Sequence, residues 1–306
     1  MLFIGEIAGL LTSVFFAINA IVITRAGVRV GSVVLNRTRV VFALVYLLLL
    51  NTLLFREPLP FEAASTHWTW LALSGVIGLA IGDAFLFQAY LTIGPRLGTL
   101  LLSLSTIFGA LEAWLFFRES LRLGQVIGIA LTLAGIVWVV LERGPQSAET
   151  STAGQESRTH PSPSGIIFGI LAALGQATGL VFSRQGMQGG FSPISGNAIR
   201  MLAAVIALWL VTALQKQVGD TLQTLKANPS SIKLIALAAL IGPVIGVSLS
   251  LLAVQNTAVG VASVLTSLAP IFMLPISHFI FKERLGWQPV AGTLLAMAGV
   301  VILFLS

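Results

Sequence analysis

Four charged side chains fall inside stretches that are otherwise almost wholly apolar: Arg39, Asp83, Glu112 and Arg200. A charge at the bilayer centre costs about 2.5–3.5 kcal/mol on insertion scales, so such groups face a cavity or a partner rather than lipid. A guanidinium stays charged, and its planar fork holds a carboxylate or phosphate through two parallel bonds. Arg39 and Arg200 each follow an asparagine by three residues, Asn36 and Asn197, which puts amide and guanidinium on one helix face. The chemistry this pattern suits is recognition of an anionic group inside the membrane. The alternative is an arginine that snorkels or pairs structurally near a helix end. Asp83 precedes Phe87 and Tyr90 at i+4 and i+7, and Glu112 lies in the later half of its own stretch. A carboxyl in such a place can carry a coupling proton, or it can neutralise Arg39 or Arg200; a static ion pair within the bundle is the competing reading.

Asn19, Tyr90, Asn197, Ser267 and His278 are expected to line the same cavity. His278 shares a helical stripe with Ser267, Ile271 and Leu274, at steps of four, three and four. An intramembrane histidine can relay protons, although a hydrogen-bonded interior histidine is the plainer use. Pro270 and Pro275 free backbone carbonyls that a cavity or neighbouring groups must satisfy, which makes this stretch a candidate cavity wall. Gln88, Gln176, Gln255 and Asn256 are weaker candidates, since an intramembrane amide more simply joins helices.

Other chemistries lack their residues. There is no cysteine, so disulfides and thiolate-bound metals are out. No histidine–carboxylate set stands at ligand spacing, and no nucleophile–base–acid set can be assembled. A Gly-rich phosphate loop is missing too, which excludes an internal ATP motor. The expectation is therefore no metal, no cofactor and no enzyme. The net charge of +6 comes from basic residues scattered singly at segment ends, with no basic stripe and interleaved aromatics, so nucleic acid is not an expected partner.

The elements that position these residues are membrane helices. The 306 residues are 56% apolar and 9% charged, against about 25% charged in a soluble domain. About 20 apolar residues cross the hydrocarbon, and ten such stretches occur, near 5–24, 35–55, 68–90, 97–117, 123–141, 165–184, 195–214, 234–254, 261–281 and 287–305. The first is read as a span rather than a cleaved signal, because no basic n-region precedes it. Residues 142–164 are polar, rich in Pro, Gly, Ser and Thr, and read as a linker. The expected organisation is a five-helix repeat over 1–141, the linker 142–164 and a second five-helix repeat over 165–306.

The repeat is visible in the residues. Segment 101–121 returns at 265–285, an offset of 164, where Leu101, Ser103, Leu104, Ile107, Phe108, Phe117, Glu119 and Leu121 all meet identical residues. Gly78, Gly82, Gly128 and Gly135 meet Gly242, Gly246, Gly292 and Gly299 in the same register. Glycines four apart, such as Gly175 and Gly179, let helix backbones approach closely. An odd number of spans per copy inverts the second copy across the membrane, the arrangement in which a site forms near the midplane and is exposed to each side in turn.

The Ser267–Phe272 run (Ser-Leu-Ala-Pro-Ile-Phe), the Lys282-Glu283-Arg284-Leu285 turn, the arginine early in the second span of each half and the Gly-containing last span of each half together resemble the EamA family of the drug/metabolite transporter superfamily. The resemblance covers the whole chain and is better in the second half; Thr106 stands where the family has Pro, and Arg118-Glu119-Ser120-Leu121 is a looser turn. It implies an all-α membrane fold of ten helices in two inverted repeats, a secondary transporter that usually exports small metabolites such as amino acids, and a cavity walled by spans 1–4 and 6–9. It also implies cytoplasmic termini. The Lys/Arg distribution points the other way: with the spans above, Arg56, Arg118, Arg122 and Arg184 lie on the side of the termini, and twelve basic residues lie opposite.

The reading is a multi-pass protein of the cell membrane (inner or plasma membrane) that exports a small polar, amino-acid-like molecule by alternating access. Its partners are that small-molecule substrate and the bilayer, and a homodimer is left open. A carrier of lipid-linked or amphipathic, drug-like cargo is the alternative within transport. A non-transporting scaffold is the alternative outside it.

Overall fold

A computed structural model describes residues 4–117, 123–141, 162–256, 265–281 and 286–305. Most of the linker, with both basic-Glu turns at 118–121 and 282–285, lies outside the described residues. Every described element is helical, as an apolar chain in lipid demands, because the helix satisfies its own backbone. In order these are α1 (Ile4–Phe55), α2 (Ser65–Ser74), a π-helical segment (Gly75–Gly82), α3 (Asp83–Leu102), α4 (Leu104–Phe117), α5 (Leu123–Leu141), α6 (Pro163–Gly186), a 3₁₀ turn (Gln188–Gly190), α7 (Pro193–Leu214), α8 (Val218–Ala227), α9 (Pro229–Ala239), a second π-helical segment (Leu240–Gly246), α10 (Val247–Asn256), α11 (Ala269–Phe281) and α12 (Trp287–Leu305).

Six of the helical runs are long and apolar enough to cross a membrane: Ile4–Phe55, Ser65–Leu102, Leu123–Leu141, Pro163–Gly186, Pro193–Leu214 and Pro229–Ser250. The expected stretches outnumber them in part because two of these runs hold a glycine bend. Gly31 (φ 80°, ψ 159°) interrupts α1, and Gly94 (φ 81°, ψ 160°) interrupts α3 ahead of Pro95. Only glycine adopts this backbone without strain. The chain reverses at Gly31: Arg29 and Arg37, on its two sides, reach Ser230 and Thr221, while the distant Thr12 and Asn51 meet Gly246 and Ser195.

The two π-helical segments occupy equivalent places in the repeat. Each ends on the glycine of the shared register, Gly82 or Gly246, and each is held by the asparagine that precedes an intramembrane arginine. Asn36 Nδ2 donates to the carbonyls of Leu79 (3.4 Å) and Ala80 (3.1 Å), and Asn197 Nδ2 donates to that of Pro243 (3.1 Å). Leu79 and Pro243 are 164 residues apart, the offset of the repeat. A widened helical turn leaves carbonyls off the regular ladder, and the amides occupy them.

Close glycine contacts fix the packing. The first π segment lies on α6 with Gly78 against Gly179 and Gly82 against Gly175; a Cβ on Gly179 would stand 2.8 Å from the Gly78 Cα. The antiparallel α5 and α12 meet through Gly128 against Gly299 and Gly135 against Gly292, a reciprocal pairing in which each glycine faces the counterpart of the other. At its centre the Thr132 hydroxyl lies 3.3 Å from the carbonyl of Ala296, its own counterpart.

Candidate functional site

Asp83 opens α3 directly after the first π segment, so the π turn sets its direction. It is buried, and both of its oxygens are engaged. Arg39 forms an ion pair with Oδ2, and Gln176 donates to Oδ1 at 2.6 Å. Gln176 also bonds the Gly78 carbonyl at 3.2 Å, which ties α6 to the π segment at this level. The Arg39 guanidinium sits over the Phe87 ring at 4.9 Å, adding a cation–π contact to the pair.

Arg200 completes the group from α7. Its charge acts on Asp83, and its Nη2 would lie 3.7 Å from a Cβ placed on Gly78. A side chain at Gly75 would strike the Arg200 carbonyl, so α7 approaches this segment only because position 75 is glycine. Among the described residues none accepts a hydrogen bond from Arg200, and its Nε is buried without a partner. One carboxylate thus faces two guanidinium groups. The pair with Arg39 is neutral, so within this group of three charges one positive charge stays uncompensated.

Tyr90, buried two turns further along α3, packs on Phe87 with ring centroids 6.4 Å apart and lies close enough to feel the charges of Asp83 and Arg39. The structure therefore brings together Arg39, Asp83, Arg200 and Tyr90. Gln176, singled out only among the weaker amides, belongs to the group as well. Its signal was its place between Gly175 and Gly179, where the backbone of α6 comes nearest the Asp83 segment.

The remaining candidates lie elsewhere. Glu112 on α4 accepts from the Thr178 hydroxyl at 2.7 Å, and its Oε2 is buried without a partner. Asn19 lies against Gly242 and Asn197 against Pro243, so both belong to the second π segment. Ser267 is partly buried in the turn ahead of α11. His278 is exposed on α11, edge-on to Phe279 at 5.3 Å. Among the described residues no three His, Cys, Asp or Glu side chains cluster at metal-binding distance.

The family model for EamA-like transporters matches the chain twice, over residues 3–141 and 163–305. No curated protein gives a significant match. Among solved structures, a crystal structure of a protein with 15% identity aligns over 97% of this chain and 95% of its own, with a TM-score of 0.60. At that identity the likeness shows the fold alone.

Proposed function

The chain belongs to the EamA-like transporter family, and we propose that within it the protein is a secondary transporter that exports a small polar molecule bearing a carboxylate. The observation that carries this reading is Arg200, a partly buried guanidinium beside a carboxylate already paired with Arg39 and Gln176. A carboxylate of the substrate would supply the missing negative charge. A charge held partly out of water is stabilised by such a partner.

The ten apolar stretches are the ten spans: α1 crosses twice by reversing at Gly31, and the run Ser65–Leu102 crosses once, reverses at Gly94 and completes its second crossing through α4. They fall into two inverted repeats, 1–141 and 165–306, on either side of the linker 142–164. The reciprocal α5–α12 pairing supports this arrangement, since contacts between an element and its own counterpart are the mark of a two-fold relation. Alternating access is rocking of the two repeats about the equivalent π segments.

The coupling proton is assigned to Glu112. Asp83 is held by an ion pair and an amide, whereas Glu112 meets one hydroxyl and keeps a second oxygen without a partner.

The test is thermal unfolding of the detergent-purified protein across amino acids, their decarboxylated amines and their amides. Binding to the folded state raises the melting temperature. The expected result is a shift with one or more amino acids, absent with the matching amine and absent in Arg200→Ala. An equal shift with the amine would remove the carboxylate from the proposal.

A further inference from the structure

A cleft of about 610 Å³ opens on the outside of the bundle between α1, α9 and α11. Its walls are apolar, with Ile18, Val22, Leu237, Phe272 and Ile276 among them, and among the described residues Arg25 is the one charged side chain in its lining. This volume falls within the about 300–1,000 Å³ range of sites that hold small molecules.

The polar end has Arg25 in its lining and two further cations, Arg29 and Lys233, adjoining it in sequence on the same two helices. Arg25 is exposed and makes no hydrogen bond to any described residue. Arg29 follows it one turn later on the same helix face, and bonds the Ser230 hydroxyl at 2.7 Å. Lys233, exposed, lies three residues beyond Ser230 on α9 and one residue before Leu234, which lines the cleft. These residues stand where apolar helices end: Arg29 two residues before the Gly31 bend, and Ser230 at the start of α9. The cleft therefore has the polarity of an amphiphile, with an apolar slot facing the hydrocarbon and a positive cap at the level where headgroups sit. Basic pockets between membrane helices attract anionic headgroups.

We propose that this cleft seats an anionic phospholipid of the surrounding bilayer, with an acyl chain between α1 and α11 and the phosphate on Arg25, Arg29 and Lys233. The seat is separate from the Arg39–Asp83–Arg200 group, and none of its three cations belongs to that group. A chain lodged there braces α11 against α1 from the lipid side.

Native mass spectrometry of the full chain, titrated with phosphatidylglycerol or phosphatidylcholine, tests this together with thermal unfolding. The expected result is retained phosphatidylglycerol, a raised melting temperature, and binding about tenfold weaker in the variant carrying Arg25→Gln, Arg29→Gln and Lys233→Gln. Ile18→Trp, which fills the slot and keeps the cations, should weaken binding as well, and serves alone if the triple variant does not fold. Equal retention of phosphatidylcholine, unchanged preference in either variant, or equal stabilisation by glycerol phosphate alone would overturn the proposal. So would movement of labelled phosphatidylglycerol between leaflets of proteoliposomes, which would make the lipid cargo. Apart from that last outcome, which would favour a lipid cargo over a small polar one, none of these results bears on the amino-acid binding test.

Discussion

Arg200 stands beside Asp83 without a hydrogen bond to it, while Arg39 and Gln176 each hold one of the two carboxylate oxygens. The three elements that deliver these charges are the second segment of α1, the π turn before α3, and α7. The excess positive charge lies where they converge. This imbalance separates the stability role of the group from its binding role, and substitutions can tell the two apart.

Asp83→Asn leaves the buried Arg39 and the partly buried Arg200 without a counter-charge. Removing one partner of a buried pair costs about 3–5 kcal/mol. We expect poor yield or a strongly lowered melting temperature for Asp83→Asn. Arg39→Met combined with Asp83→Leu should recover much of the loss, as matched apolar replacement of a buried pair does. Equal instability of the double variant would show that the charges, rather than their pairing, hold the bundle together.

Arg200→Ala should behave in the opposite way. It removes a charge with no acceptor among the described residues and leaves the neutral Arg39–Asp83 pair intact. The melting temperature should hold or rise in the absence of substrate. A fall comparable to that of Asp83→Asn would mean that Arg200 is a structural partner of Asp83.

The glycine positions predict an order of damage. Gly179→Ala puts a methyl 2.8 Å from backbone at Gly78, which must move, at about 1–3 kcal/mol for overpacking. Gly109 on α4 has open space where a methyl would go, with no neighbouring atom within 4 Å. Gly109→Ala should be neutral or stabilising by roughly 0.5–1 kcal/mol, the usual gain from replacing a mid-helix glycine. Thermal melts of the two variants check the order, and reversal would put the α6 contact in error.

Asn36→Leu and Asn197→Leu each strip the donor from a π-segment carbonyl. A buried acceptor left unsatisfied costs about 1–3 kcal/mol. Because the two sites are equivalent, the variants should lose similar stability. A clear difference would mean that the two π segments are not held equivalently.

The charged group was largely readable from the residues, since a mid-span Arg or Asp has few options and the repeat register pointed to the first π segment. What the sequence could not supply was the partner of each. Whether Asp83 meets Arg39, Arg200 or both depends on where the widened turn ends, and a π turn leaves no periodic signature beyond a run of glycines. Glu112 looked like a partner for the arginines by type alone, yet α4 directs it to Thr178 on α6. The stripe that placed His278 with Ser267 assumed an unbroken helix, but a turn at Ser267–Leu268 precedes α11 and His278 is exposed. The helical runs through Gly31 and Gly94 show a further limit: apolar length marks where the chain can cross, while the break within a run rests on one glycine's dihedral angles.

The most direct test of the central claim is transport of a radiolabelled amino acid, chosen from the binding screen, in proteoliposomes bearing wild type, Arg200→Ala or Arg200→Lys. We predict substrate-dependent exchange by the wild type and none by Arg200→Ala at equal protein incorporation. Arg200→Lys should be weak, because an ammonium keeps the charge but loses the bidentate fork. Exchange by Arg200→Ala at the wild-type rate would contradict the assignment of Arg200 as the seat of the substrate carboxylate.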